Sequence, residues 1–148
     1  MLKKKIVQLF LDNHMKVTCP TLSRKTKVTF RAVRTENGFG LQIEKFTDIY
    51  PISKMDELEA EIKRIANGNG GRVYYGATLA RTGARIDAGG FFDTTLESII
   101  ARTLLGKTDG QTVFAVSTYF AALLEKVGFA TMNPTNHIDS YIYLTNRF

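Results

Sequence analysis

The chain carries one cysteine, Cys19, and two histidines, His14 and His137. A single thiol cannot form an internal bridge, and these residues have no spacing that would hold zinc. The sequence therefore predicts no disulfide framework and no metal site, and a lone cysteine suits a reducing cytoplasm. Only three prolines occur, so no Pro/Ser-rich linker divides the chain, and no internal repeat or low-complexity tract is present. No apolar run approaches the ~20 residues that span a bilayer, which predicts no membrane partner. The opening Met1-Leu2-Lys3-Lys4-Lys5-Ile6-Val7-Gln8-Leu9-Phe10-Leu11 imitates a secretion signal, yet Gln8 breaks its apolar stretch. Asp12-Asn13-His14 follows with no small-residue cleavage site, so the segment reads as mature sequence.

What is present is ordinary globular material. With 44% hydrophobic and 23% charged residues over 148 positions, the chain is too apolar for disorder and the right size for one domain. The expectation is a single cytoplasmic α+β domain over 1–148, with a central, mainly antiparallel sheet and flanking helices.

Charge is uneven. Residues 1–34 hold nine lysines and arginines against Asp12 alone, a balance of +8, whereas the rest of the chain sums to −2. Such asymmetry points to a phosphate-rich or otherwise acidic partner, or to a solvated face that keeps the protein dispersed.

Periodicity supplies the elements. Leu2, Ile6, Leu9 and Phe10 share a helical face over 2–13, opposite Lys3, Lys4 and Lys5. Residues 27–34 and 39–44 alternate on either side of Glu36-Asn37-Gly38, which predicts a β-hairpin. Residues 1–46 thus read as a basic helix plus hairpin. Met55, Leu58, Ile62 and Ile65 make a helical stripe over 54–67, with Ser53 as its cap and Asn67-Gly68 as its end. A second β region is expected at 72–79 and 84–87, then a helix over 95–105 capped by Asp93 or Thr94, with Glu97 in the capping-box position. Thr112-Val113-Phe114-Ala115-Val116 has the pattern of a strand buried on both faces. Ser117 then caps a helix ending at Gly128, and 138–145 alternates as a final strand.

The order strand, capped helix, Leu124-Glu125-Lys126-Val127-Gly128-Phe129, loop and aromatic strand resembles the closing portion of the GNAT N-acetyltransferase superfamily. The resemblance covers about residues 84–145. It implies an acyl-CoA cofactor such as acetyl-CoA, an amine acceptor, and a loop in which backbone amides at a helix start hold the pyrophosphate. Arg85-Ile86-Asp87-Ala88-Gly89-Gly90 stands at that loop, with Ala88 in place of the family's first glycine. The residues it implies are Arg85, Gly89, Gly90 and Thr94 for the cofactor, and Tyr119 and Glu97 for acid–base chemistry. Leu124 occupies the position of the family's usual tyrosine.

A second function class rests on the basic end. The hairpin at Lys25–Phe46 followed by the 54–67 helix is a ββα unit, similar to those of small DNA-binding modules in phages and mobile elements. Arg24, Lys25, Lys27, Arg31 and Arg34 would contact phosphates, with Phe30 and Phe39 interleaved for stacking, on nucleic acid or on an acidic protein that accompanies it. The carboxylates Asp48, Asp56, Asp87, Glu97, Asp109 and Asp139 are scattered and form no nuclease signature.

Overall fold

The computed structural model describes residues 1–21, 26–87, 90–133 and 140–145. Within them the chain is mixed α+β, as the periodicity predicts, but its strands form two antiparallel sheets rather than one.

The larger sheet has the order β1 (Lys16–Pro20), β2 (Lys27–Thr35), β3 (Gly38–Ile43) and β4 (Ile49–Pro51). Its centre is the expected hairpin, with Thr35 opposite Gly38 and Phe30 opposite Ile43. Gly38 takes φ +123°, a conformation that a side chain would strain. β1 was not expected. It carries only two buried residues, Val17 and Cys19, and ends in Pro20, which an edge strand tolerates because one side needs no ladder bonds.

The smaller sheet has the order β5-β7-β6, from β5 (Arg72–Tyr74), β6 (Ala130–Asn133) and β7 (Tyr141–Leu144). Three expectations fail around it. The strand foreseen over 72–79 stops at Tyr74, because Gly76 turns at φ +75° into a short helix, α3 (Ala77–Arg81). The 84–87 strand reduces to one bridge between Arg85 and Thr112. Residues 112–116 form no strand: Val113 and Val116 are buried, but Phe114 is 55% exposed. A continuous apolar run suggests burial but not pairing, and here a loop held by the single Thr112 bridge buries Val113 and Val116 only. Of the final strand, residues 138 and 139 lie outside the described residues.

The remaining helices are α1 (Leu2–Asp12), α2 (Met55–Asn67), α4 (Leu96–Leu105) and α5 (Ser117–Lys126). Of the predicted stripes, α1 buries Leu2, Ile6 and Phe10 and α2 buries Met55, Leu58 and Ile62, while Leu9 and Ile65 are half-buried against the core. The helix starts differ from expectation. Ser53 lies in a 3-10 turn and does not cap α2, while α4 is capped by neither Asp93 nor Thr94 but by Thr95, whose Oγ1 accepts the Ser98 amide at 3.4 Å.

One continuous core joins both sheets, including Phe30, Leu41 and Tyr50 from the larger and Val73, Met132 and Ile142 from the smaller. Phe120 of α5 stands edge-on to Phe30 at 5.4 Å and to Tyr50 at 4.8 Å. The same helix touches β1 of one sheet and β6 of the other, while α2 touches β5 and β7. With one face of each sheet engaged this way, the opposite faces turn outward.

Candidate functional site

Strand register decides where the basic residues go. On β1 and β2 the buried positions are Val17, Cys19, Val28 and Phe30, so the alternate positions Lys16, Thr18, Lys27, Thr29 and Arg31 point away from the core. Lys16 stands directly opposite Arg31, and Lys27 opposite Pro20. Between them the hydroxyls of Thr18 and Thr29 are bonded at 2.9 Å. Like charges facing across a ladder are unfavourable on their own. Glu44 reaches Lys16 at 3.9 Å, an exposed pair that offsets little of that cost.

The expected cluster is thereby divided. Arg34 is separated from Arg31 by an odd step and shares the other side of β2 with Phe30, where it pairs with Phe39 and remains exposed. Arg24 and Lys25 lie outside the described residues. Lys16, which periodicity alone did not place, joins Lys27 and Arg31.

This face ends in a groove. β3 stops at Ile43, and the chain swings away through Lys45, a non-glycine residue at φ +79°. Such a conformation costs on the order of 1–3 kcal/mol and tends to persist where surrounding structure imposes it. The space it opens, about 370 Å³, is lined by Lys27, Thr29, Glu44, Lys45, Phe46 and Tyr119 among others. Phe46 lies 5.8 Å from Tyr119 and meets Phe114 edge-on at 5.1 Å. Two lysines therefore flank an aromatic cluster that is partly open to solvent. Nothing in the sequence announced Lys45, Phe46 or Phe114, because their proximity depends on the turn after β3 and the docking of α5.

Glu97 has a different role from the one its spacing suggested. It is fully buried, and its carboxylate closes the start of α5: Oε1 accepts the amides of Val116 at 2.8 Å and Ser117 at 3.0 Å, and Oε2 accepts the Ser117 hydroxyl at 2.7 Å. Burial pushes the carboxyl above its usual range, against the pull of these donors. Tyr119 sits in the Lys27–Phe46 groove, so the two residues expected to share acid–base work occupy different surroundings.

The Arg85–Thr94 segment is similarly engaged with its own protein. The Arg85 guanidinium donates to the Gly110 carbonyl at 2.9 Å, and the Thr94 hydroxyl donates to Phe91 at 2.7 Å. The Gly90 amide donates to Asp87 at 2.8 Å and leads into a 3-10 turn, Phe91–Thr94, before α4 begins. In the first turn of α4, the Glu97 amide is taken by the Tyr75 carbonyl at 3.0 Å. Gly89 lies outside the described residues.

Among the described residues, no helix is long and apolar enough to cross a membrane, and no group of three His, Cys, Asp or Glu side chains could hold a metal ion. Comparison with protein-family models, curated proteins and solved structures returned no match.

Proposed function

We propose that this chain binds nucleic acid, with Lys16, Lys27, Arg31 and Lys45 on phosphates and the Phe46–Phe114–Tyr119 cluster against bases. The observation that carries the reading is the convergence of Lys16, Lys27 and Arg31 on one outward sheet face that runs into an aromatic groove. A phosphate between Lys16 and Arg31 would turn an unfavourable cross-strand pair into a favourable site. Aromatic rings beside cations suit stacking without sequence readout.

Each phosphate neutralised releases a counterion, so log affinity should fall linearly with log salt, by about −0.9 per contact on a duplex. Fluorescence anisotropy across a salt series tests this. Reversing Lys16 and Arg31 together should flatten the slope by about two units, equally on unrelated sequences, because phosphate contacts carry no base information. No binding at ~50 mM salt, where such contacts are strong, would leave the charge as a means of dispersion or as a surface for an acidic protein.

An acyl-CoA-dependent transfer draws less support, since the amides and side chains it would use at Gly90, Thr94 and Glu97 already have protein partners. A thermal shift with acetyl-CoA tests it directly. Ligand at 100 times its dissociation constant adds ~2.7 kcal/mol, and a shift of that order would restore acyl transfer as the leading reading.

A further inference from the structure

The outward face of the smaller sheet has a composition unlike that of the larger one. Register places Arg72, Tyr143 and Thr131 in one row across β5, β7 and β6, and Tyr74, Tyr141 and Asn133 in the next. The alternate positions Val73, Ile142 and Met132 are buried in the core, so these two rows lie on the other side of the sheet, where Tyr141 is itself buried and its neighbours are half-buried or exposed. Arg72 is the one charged side chain in them.

The aromatic rings are already organised. Phe91, 61% exposed, lies 6.1 Å from Tyr74, and Tyr74 meets Tyr141 edge-on at 5.7 Å. Arg72 sits over the Tyr141 ring at 4.9 Å from its centroid, and the Tyr141 hydroxyl accepts the Asn133 amide group at 2.6 Å. Tyr141 is thus held beneath the others as a floor. Tyr143, 47% exposed, projects beside Arg72 with its ring against the Gly71 backbone, where even a Cβ would come within 3.4 Å.

We infer that this face is a stacking platform for the unpaired bases of a single nucleic-acid strand. Phe91, Tyr74 and Tyr143 offer ring surface, Arg72 supplies the cation for the backbone, and Thr131 and Asn133 supply polar groups at base edges. Every base has a flat π-face, which is why aromatic residues on an open sheet suit single strands and not duplexes, whose bases are already stacked. Charge complementarity favours this occupant over a protein: the two rows carry an arginine for the strand's phosphates and no acid that would repel them. The inference rests on the reading of the chain as a nucleic-acid binder and adds the strand state that it prefers.

The experiment compares a short oligothymidine with a duplex of equal length at matched salt, using wild type, a Phe91→Ala/Tyr143→Ala double variant, Tyr143→Phe, and the Lys16→Glu/Arg31→Glu variant. Both platform positions are exposed, so thermal midpoints close to wild type should confirm folding. The double variant is expected to lose at least about fivefold in single-strand affinity per ring removed, with duplex affinity and salt slope unchanged. Tyr143→Phe keeps the ring and should keep the affinity. The chain has six tyrosines and no tryptophan, so its emission is tyrosine emission, and single strands should quench it in wild type more than in the double variant. Unchanged single-strand affinity in the double variant, or equal loss on the duplex, overturns the platform while leaving the basic face standing. Single-strand binding that ignores the Lys16/Arg31 reversal overturns the basic face and leaves the platform. Absence of binding to either probe removes both.

Discussion

Glu97 in α4 holds Ser117 at the start of α5 by two hydrogen bonds, one to its amide at 3.0 Å and one to its hydroxyl at 2.7 Å. With the Val116 amide also bonded, one buried carboxylate satisfies three donors that would otherwise lie unpaired at a helix terminus. Leaving a buried donor unsatisfied costs about 1–3 kcal/mol. Glu97→Ala should therefore destabilise the protein by roughly 3 kcal/mol or more, measured by urea unfolding, and a loss below ~1 kcal/mol would show that the bonds contribute little.

The same residue gives a pH dependence with a definite sign. Burial raises the folded carboxyl above its unfolded value, so the folded state binds this proton more tightly. Its contribution is complete below the unfolded value and is lost as pH rises through the folded one. Glu97→Gln retains an acceptor for the amides and removes the titration. Subtracting its stability curve from that of wild type should leave a difference that falls as pH rises above ~4.3, the ordinary glutamate value. A difference that rises instead would mean that the three donors outweigh burial. The subtraction also removes Glu61, whose carboxyl is lowered by Arg64 and slopes the other way.

Arg31 and Arg34 occupy opposite sides of β2, and nucleic-acid binding should report it. Arg31→Glu is expected to flatten the salt slope by about one unit, and Arg34→Glu to leave it nearly unchanged. Equal effects from both would mean that charge, not the sheet face, governs binding.

Gly76 cannot accept a side chain. It sits at φ +75°, and a Cβ there would lie 2.5 Å from Cβ and Oγ1 of Thr95, the buried cap of α4. Gly76→Ala should cost about 2 kcal/mol or more, from backbone strain plus the clash. Gly38→Ala, at φ +123° with nothing within 4 Å, carries strain alone and provides the control in thermal unfolding. Equal losses would show that Thr95 yields without cost.

Cys19 is fully buried, and burial pushes its thiol up to about 11, although Lys126 pulls the other way. Almost none is thiolate at pH 8, so reaction with Ellman's reagent should be far slower than for an exposed thiol and should accelerate with urea in step with unfolding. Rapid labelling of the native protein would contradict the burial.

Helix stripes were legible because each spans several turns: the stripes on α1 and α2 pack where their spacing puts them. Short strands were not. β1 alternates over only five residues and β4 over three, and β6 follows a helix so closely that no separate run marks it. The separation of Arg31 from Arg34 could have been read, since an odd step along a strand reverses the face. Lys16 could not, because its place beside Arg31 depends on a strand pairing that no periodicity records. Glu97 looked like a local cap because spacing reveals neighbours along a helix and not the terminus of another.

The order β5-β7-β6 bears on how the molecule comes to exist. β1 to β4 each pair with a strand that neighbours them in sequence, so every pairing of the larger sheet is available once residue 51 has emerged from the ribosome. β5 has no such neighbour: Val73 meets Ile142, and Met132 meets the same residue from the other side. Until β7 is made, β5 has no strand to pair with, whereas β6 directly precedes β7 and can pair with it once both exist. Closing the long loop from β5 to β7 is slow in entropy terms, and unpaired strand edges recruit other chains. The nascent protein is therefore most exposed to misassembly in its second half, and β7 is the piece that ends the exposure.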